Sequence, residues 1–232
     1  MNEAEWFSST DPYPMIRFLR ASGLATNRKQ CLFAIACCRR IWHHLDSSAR
    51  NSINVADRYV RHFASESELE AANLACSPPT GVDSMGPGLD AAYWVSSRSP
   101  QTAQAAADCA IRAVPAADAH VERQAQARLV REIFGNPFRS SSATVQKIVC
   151  NDEVTKIARA IYEGGLFDSE NFDDLADALD RAGAGGEMAD HCRNMHEHIR
   201  GCWVQDVTLN LLDKIFTQHP LLEQEIVDHL SA

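Results

Sequence analysis

Apolar residues recur at three- and four-residue spacing from one end of this chain to the other, and most such runs stop at a glycine or a proline. That period suits an α-helix burying one face and does not suit a strand, whose side chains alternate. Asp11-Pro12 reads as a cap plus first-turn proline, opening a helix that carries Met15, Phe18 and Leu19 to a stop at Gly23. A longer helix spans Asn27 to Leu45 with Cys31, Ile35, Cys38, Trp42 and Leu45 in line. Leu32, Phe33 and Ala36 widen that stripe, so the helix is expected to be buried over more than half its circumference.

The same pattern continues downstream. Ala49, Ile53, Ala56, Val60 and Phe63 share one face, and Ser65 with Glu68 forms a capping box for the next helix. Ser77-Pro78-Pro79-Thr80-Gly81 followed by Gly86-Pro87-Gly88 is the clearest break, and residues 77–88 are the natural sub-boundary if the chain has one. Beyond it, Ser99-Pro100 introduces an alanine-rich run through Ala103, Ala106, Ala107 and Ala110, short side chains that let helix axes approach closely. Val121, Ala125, Leu129 and Ile133 lead to a stop at Gly135-Asn136-Pro137. Thr144 to Val149 is β-branched and reads as extended, with no partner run to pair with. Helices follow on Val154, Ile157 and Ile161, on Phe172, Leu175 and Leu179, on Val204, Val207, Leu211 and Ile215, and last on Leu222, Ile226 and Leu230 after Pro220. The expected architecture is one all-α domain over residues 1–232, an irregular multi-helix bundle of about ten helices.

Composition narrows the function classes. With 232 residues and 45% hydrophobic side chains, the chain can bury a core with no cofactor or disulfide to support it. The net charge of −9 opposes a polyanion, which argues against nucleic acid as the main partner. No apolar run reaches the roughly 18 residues of a membrane span. The acidic start Met1-Asn2-Glu3-Ala4-Glu5 lacks the apolar core of a secretory signal. A cytoplasmic protein with its eight cysteines held as thiols is the expectation.

Reactive side chains concentrate between His191 and Trp203, where thirteen residues hold three histidines and two cysteines. Zinc takes thiolate and imidazole ligands in a tetrahedron. Cys192 and His196 are four apart, as are His198 and Cys202, so each pair can share a helix face. No C-x-x-C knuckle is present, and the structural alternative has the cysteines as small core residues, with histidines bonding carbonyls at a helix end. Cys37, beside Cys38, Arg39 and Arg40, is the best placed of the thiols for a nucleophile, but no protease-like motif surrounds it. There is no P-loop and no G-x-G-x-x-G.

Several blocks together carry a resemblance. They are Glu3-Ala4-Glu5-Trp6 with Thr10-Asp11-Pro12 and Ala36-Cys37-Cys38-Arg39-Arg40-Ile41-Trp42-His43, then Arg131-Glu132-Ile133-Phe134-Gly135-Asn136-Pro137-Phe138-Arg139. Ala160-Ile161-Tyr162 with Leu175-Ala176-Asp177-Ala178-Leu179 follows, and then His191-Cys192-Arg193 with His198-Ile199-Arg200-Gly201-Cys202-Trp203-Val204. In this order they resemble a helical protein family of planctomycete-type bacteria, rich in paralogues and without an assigned activity. Within these blocks, His191, Cys192, His198 and Cys202 are the candidate zinc ligands. Arg39, Arg40, Arg139, Arg193 and Arg200 are the candidate anion binders, with pairing to carboxylates such as Asp177 and Asp206 as the structural alternative. The leading expectation is a non-catalytic binding or scaffolding module whose partner is another protein. A zinc protein, or a binder of a small anion, is the alternative.

Overall fold

The helix starts are written in side chains that accept backbone N–H groups. Asn2 and Ser65 form capping boxes with Glu5 and Glu68, while Asp11, Thr26, Asp46, Asn151 and Asp168 each accept from the first turn that follows. These helices appear in a computed structural model that describes residues 1–79, 81–97, 99, 101–138, 151–195, 197–209 and 211. In chain order they are α1 (Glu3–Ser8), α2 (Pro12–Ala21), α3 (Asn27–Arg40), α4 (Ser47–Val60), α5 (Glu66–Ala75) and α6 (Pro87–Ser96). Then come α7 (Thr102–Ala113), α8 (Ala119–Phe134), α9 (Asp152–Gly164), α10 (Ser169–Arg181), α11 (Glu187–Asn194) and α12 (Trp203–Thr208). No strand occurs among the described residues, so the class is all-α.

Helix α3 is the axis of the first half, packed against α4, α6, α7 and α8. Every residue from Arg28 to Cys38 except Cys31 is buried, a fuller enclosure than the stripe alone requires. Ala103, Ala106, Ala107 and Ala110 of α7 are buried against α3 and α6, where their short side chains allow close approach. Two local readings are corrected. The long helix stops at Arg40, and Trp42–His44 form a single 3-10 turn; the Trp42 carbonyl is taken by the Arg50 guanidinium and by Leu45 N–H instead of by a further helical turn. Phe63 leaves the α4 stripe and is 68% exposed, because α4 ends at Val60 and His62, at φ +61°, reverses the chain.

The core divides into two clusters. One runs from Trp6 to Ile133 and the other from Val154 to Val207. The 77–88 loop therefore lies inside the first cluster, since α5 and α6 on either side of it pack on each other and on α4. The extended reading of Thr144 to Val149, the helix after Pro220, Ile215, His196 and Arg139 lie outside the described residues.

The clusters meet where α12 packs on α8 and the 197–202 turn packs on α3. Two glycines make that approach close enough. A Cβ on Gly201, at φ +96°, would sit 2.9 Å from Leu32 Cδ1, and one on Gly135, at φ +69°, would meet the Trp203 ring at 3.0 Å. Buried polar residues gather at the same seam. Arg28 Nη1 donates to Asp206 Oδ2 at 2.6 Å, and Glu132 of α8 faces the second half with its side chain fully enclosed. No helix among the described residues is long and apolar enough to cross a membrane.

Candidate metal centre at the seam

Glu132 comes to the seam because it shares a face of α8 with Leu129 and the buried Ala125, at spacings of four and three. An ionised carboxylate in that position is costly unless positive or hydrogen-bonding groups meet it. Two imidazoles do. His191, in the last turn of α11, places Nε2 2.8 Å from Glu132 Oε2. His198, in the turn before α12, places Nδ1 3.1 Å from Glu132 Oε1. Burial pushes the Glu132 carboxyl up, but the His191 and His198 imidazoles facing its two oxygens outweigh it and hold the group down at about 2.

The fourth member is Cys202, whose Sγ lies 3.4 Å from His191 Nε2. One ligand atom each from Glu132, His191, His198 and Cys202 falls within 4.8 Å of all the others. A tetrahedron built on Zn–N, Zn–O and Zn–S bonds of about 2.0–2.3 Å has edges of roughly 3.3–3.7 Å, comparable with the spacing of these atoms.

The surroundings hold these side chains in place. His198 Nε2 lies 2.9 Å from the Cys192 carbonyl, which can only accept, so Nε2 donates there while Nδ1 faces Glu132. Phe172 stacks on the same ring at 3.6 Å and 7°, and Trp203 meets His191 edge-on at 5.3 Å. Burial, with Glu132 and Cys192 nearby, raises the Cys202 thiol well above its ordinary range. No family model, curated protein or solved structure matches the chain.

The sequence-derived ligand set changes by one member. His191, His198 and Cys202 converge, but the Cys192 thiol is not part of the group, and burial pushes it up to about 12. Cys192 contributes its backbone carbonyl instead. Glu132, about sixty residues upstream, takes the fourth position.

The arginines divide. Arg39, Arg40 and Arg200 line one cleft of about 550 Å³ at the seam. Arg193 is elsewhere, on the solvent side of α11, paired with Asp177 and Asp180 of α10 at 2.6 and 2.8 Å, the helix-to-helix tie anticipated as its alternative. Cys37 and Cys38 are fully enclosed, and burial raises both thiols well above their usual range, so neither has the character of a nucleophile.

Proposed function

We propose that this chain is a helical binding or scaffolding module without chemistry of its own, its two cores pinned together by a zinc-type ion at Glu132, His191, His198 and Cys202. The single observation that carries the metal reading is the convergence of four buried or nearly buried ligand atoms from α8, α11, the 197–202 turn and the start of α12. Two imidazoles, a thiol and a carboxylate suit zinc better than magnesium or calcium, which prefer all-oxygen shells. Four protein ligands fill a tetrahedron, leaving no open position for substrate, so the ion's role is structural. Cross-linking α8 to the second half suits a module that presents a fixed surface to another protein.

Cobalt(II) tests this reading. Titrated into chelator-stripped protein, it should saturate at one equivalent, with visible bands of tetrahedral cobalt and a near-ultraviolet thiolate band that Cys202→Ser abolishes. Absence of both bands, or a thiolate band that survives in Cys202→Ser, overturns the centre. For the scaffold role, a reproducible stoichiometric partner in a pull-down from the native host is the expected result. Turnover of a substrate by the purified protein counts against it.

A further inference from the structure

The cleft that holds Arg39, Arg40 and Arg200 lies between the two cores, walled by α3, α4 and α8 on one side and by the 165–167 and 197–200 segments on the other. Its volume, about 550 Å³, is that of a site for a small organic molecule, and seams between packed units are where such sites collect. The floor is apolar, formed by Leu32, Ile35, Leu129, Phe167 and Ile199.

The three guanidinium groups differ in what charge they have left to offer. Arg40 is committed, its Nε bonded to both oxygens of the buried Glu122 at 3.2 and 3.0 Å. Arg39 has no carboxylate partner among the described residues; Nη2 donates to Asn54 Oδ1 at 2.7 Å, and the plane lies 4.4 Å over the Trp42 ring. Arg200 donates from Nη1 to the Tyr162 carbonyl at 3.0 Å, and lies 5.0 and 5.1 Å from the Tyr162 and Phe167 rings. Asp57 is 3.7 Å from its Nε and also bonded to Arg61 at 3.1 Å. Both forks are thus oriented before anything arrives, which lowers the entropy lost on binding. Asp57 and Glu197 also line the cleft, so three positive and two negative groups leave a surplus of one positive charge. That balance suits a monoanion and opposes a polyphosphate.

We propose that this cleft binds a small organic carboxylate, with Arg39 and Arg200 taking the carboxylate and Leu32, Ile35 and Phe167 covering its hydrocarbon. The site stands on different residues from the metal ligands, apart from His198 at its edge, and it does not require the ion.

Calorimetric titration of the intact chain with octanoate, octanol and pyrophosphate tests the proposal. Octanoate should bind once per chain with Kd below about 1 mM. Octanol, lacking the charge, should bind at least about tenfold more weakly, and so should pyrophosphate. Arg39→Gln should weaken octanoate by about tenfold or more, while Arg193→Gln, outside the cleft, should leave it unchanged. Arg39 is exposed, so that variant keeps its fold even if Arg200→Gln does not. Equal binding of octanol and octanoate, tighter binding of pyrophosphate, or an unaltered Kd in a folded Arg39→Gln variant each overturns the site. Repeating the titration after chelation separates it from the metal reading: octanoate binding should persist in the stripped protein, and its loss there would contradict the independence claimed.

Discussion

Glu132 Oε2 and His191 Nε2 lie 2.8 Å apart across the seam, yet that oxygen accepts no hydrogen bond among the described residues. The same imidazole nitrogen is 3.4 Å from Cys202 Sγ, and one ring N–H cannot serve both neighbours. A buried carboxylate with two imidazole nitrogens and a thiol sulfur within 4.8 Å of it is the arrangement the proposed cation would satisfy.

Because the ion would bind the folded chain and find no preformed site in the unfolded one, zinc should stabilise the fold by mass action. At a free concentration one hundred times Kd the gain is about 2.7 kcal/mol. Denaturant unfolding of the stripped protein, with and without zinc, measures it. Glu132→Gln should reduce the gain, and an equal gain in Cys202→Ser would place the zinc elsewhere.

The Arg28–Asp206 pair, at 2.6 Å with both side chains enclosed, ties α3 to α12. Asp206→Ala leaves an unpaired buried guanidinium and should lower stability by about 3–5 kcal/mol. Arg28→Met with Asp206→Leu removes both charges and should cost distinctly less. Urea midpoints of the single and double variants decide between these outcomes.

Gly201→Ala should destabilise by about 1–3 kcal/mol, because an alanine at φ +96° is strained and its Cβ meets Leu32 at 2.9 Å. The same change at Gly23, also at positive φ but with nothing within 4 Å, isolates the backbone part. A thermal melt in which both variants lose the same amount would mean that the seam does not press on Gly201.

Much of this fold was legible because helix signals are local. Asp11-Pro12 and the Ser65/Glu68 box each begin a helix where the residues alone place it. What the residues could not show was convergence. Glu132 was hidden by its distance in sequence from the histidines, although its heptad relation to Ala125 on a buried face was a usable signal. Cys192 Sγ does not join the group; spacing cannot tell a converging side chain from a residue whose carbonyl accepts from its neighbour's ring. Phe63 fits the α4 period and still faces water, since a periodic stripe does not reveal where the backbone turns away.

Cys37 and Cys38 should resist a thiol reagent near pH 8 and react only on unfolding. Their folded pKa values are raised, chiefly by burial, so the stability linked to them is fully present below the ordinary thiol value of about 9. It is lost as the pH climbs above that value. Stability followed from pH 8 upward should fall, and less steeply in Cys37→Ala/Cys38→Ala; prompt labelling of the native protein would contradict their enclosure.

Elemental analysis of the purified protein after dialysis into metal-free buffer tests the central claim most directly. About one zinc per chain is predicted for the wild type, with clear loss in both Glu132→Gln and Cys202→Ser and retention in Cys192→Ser. A wild-type protein that carries no zinc even after loading, or a Glu132→Gln variant that keeps its full equivalent, would contradict the four-ligand centre.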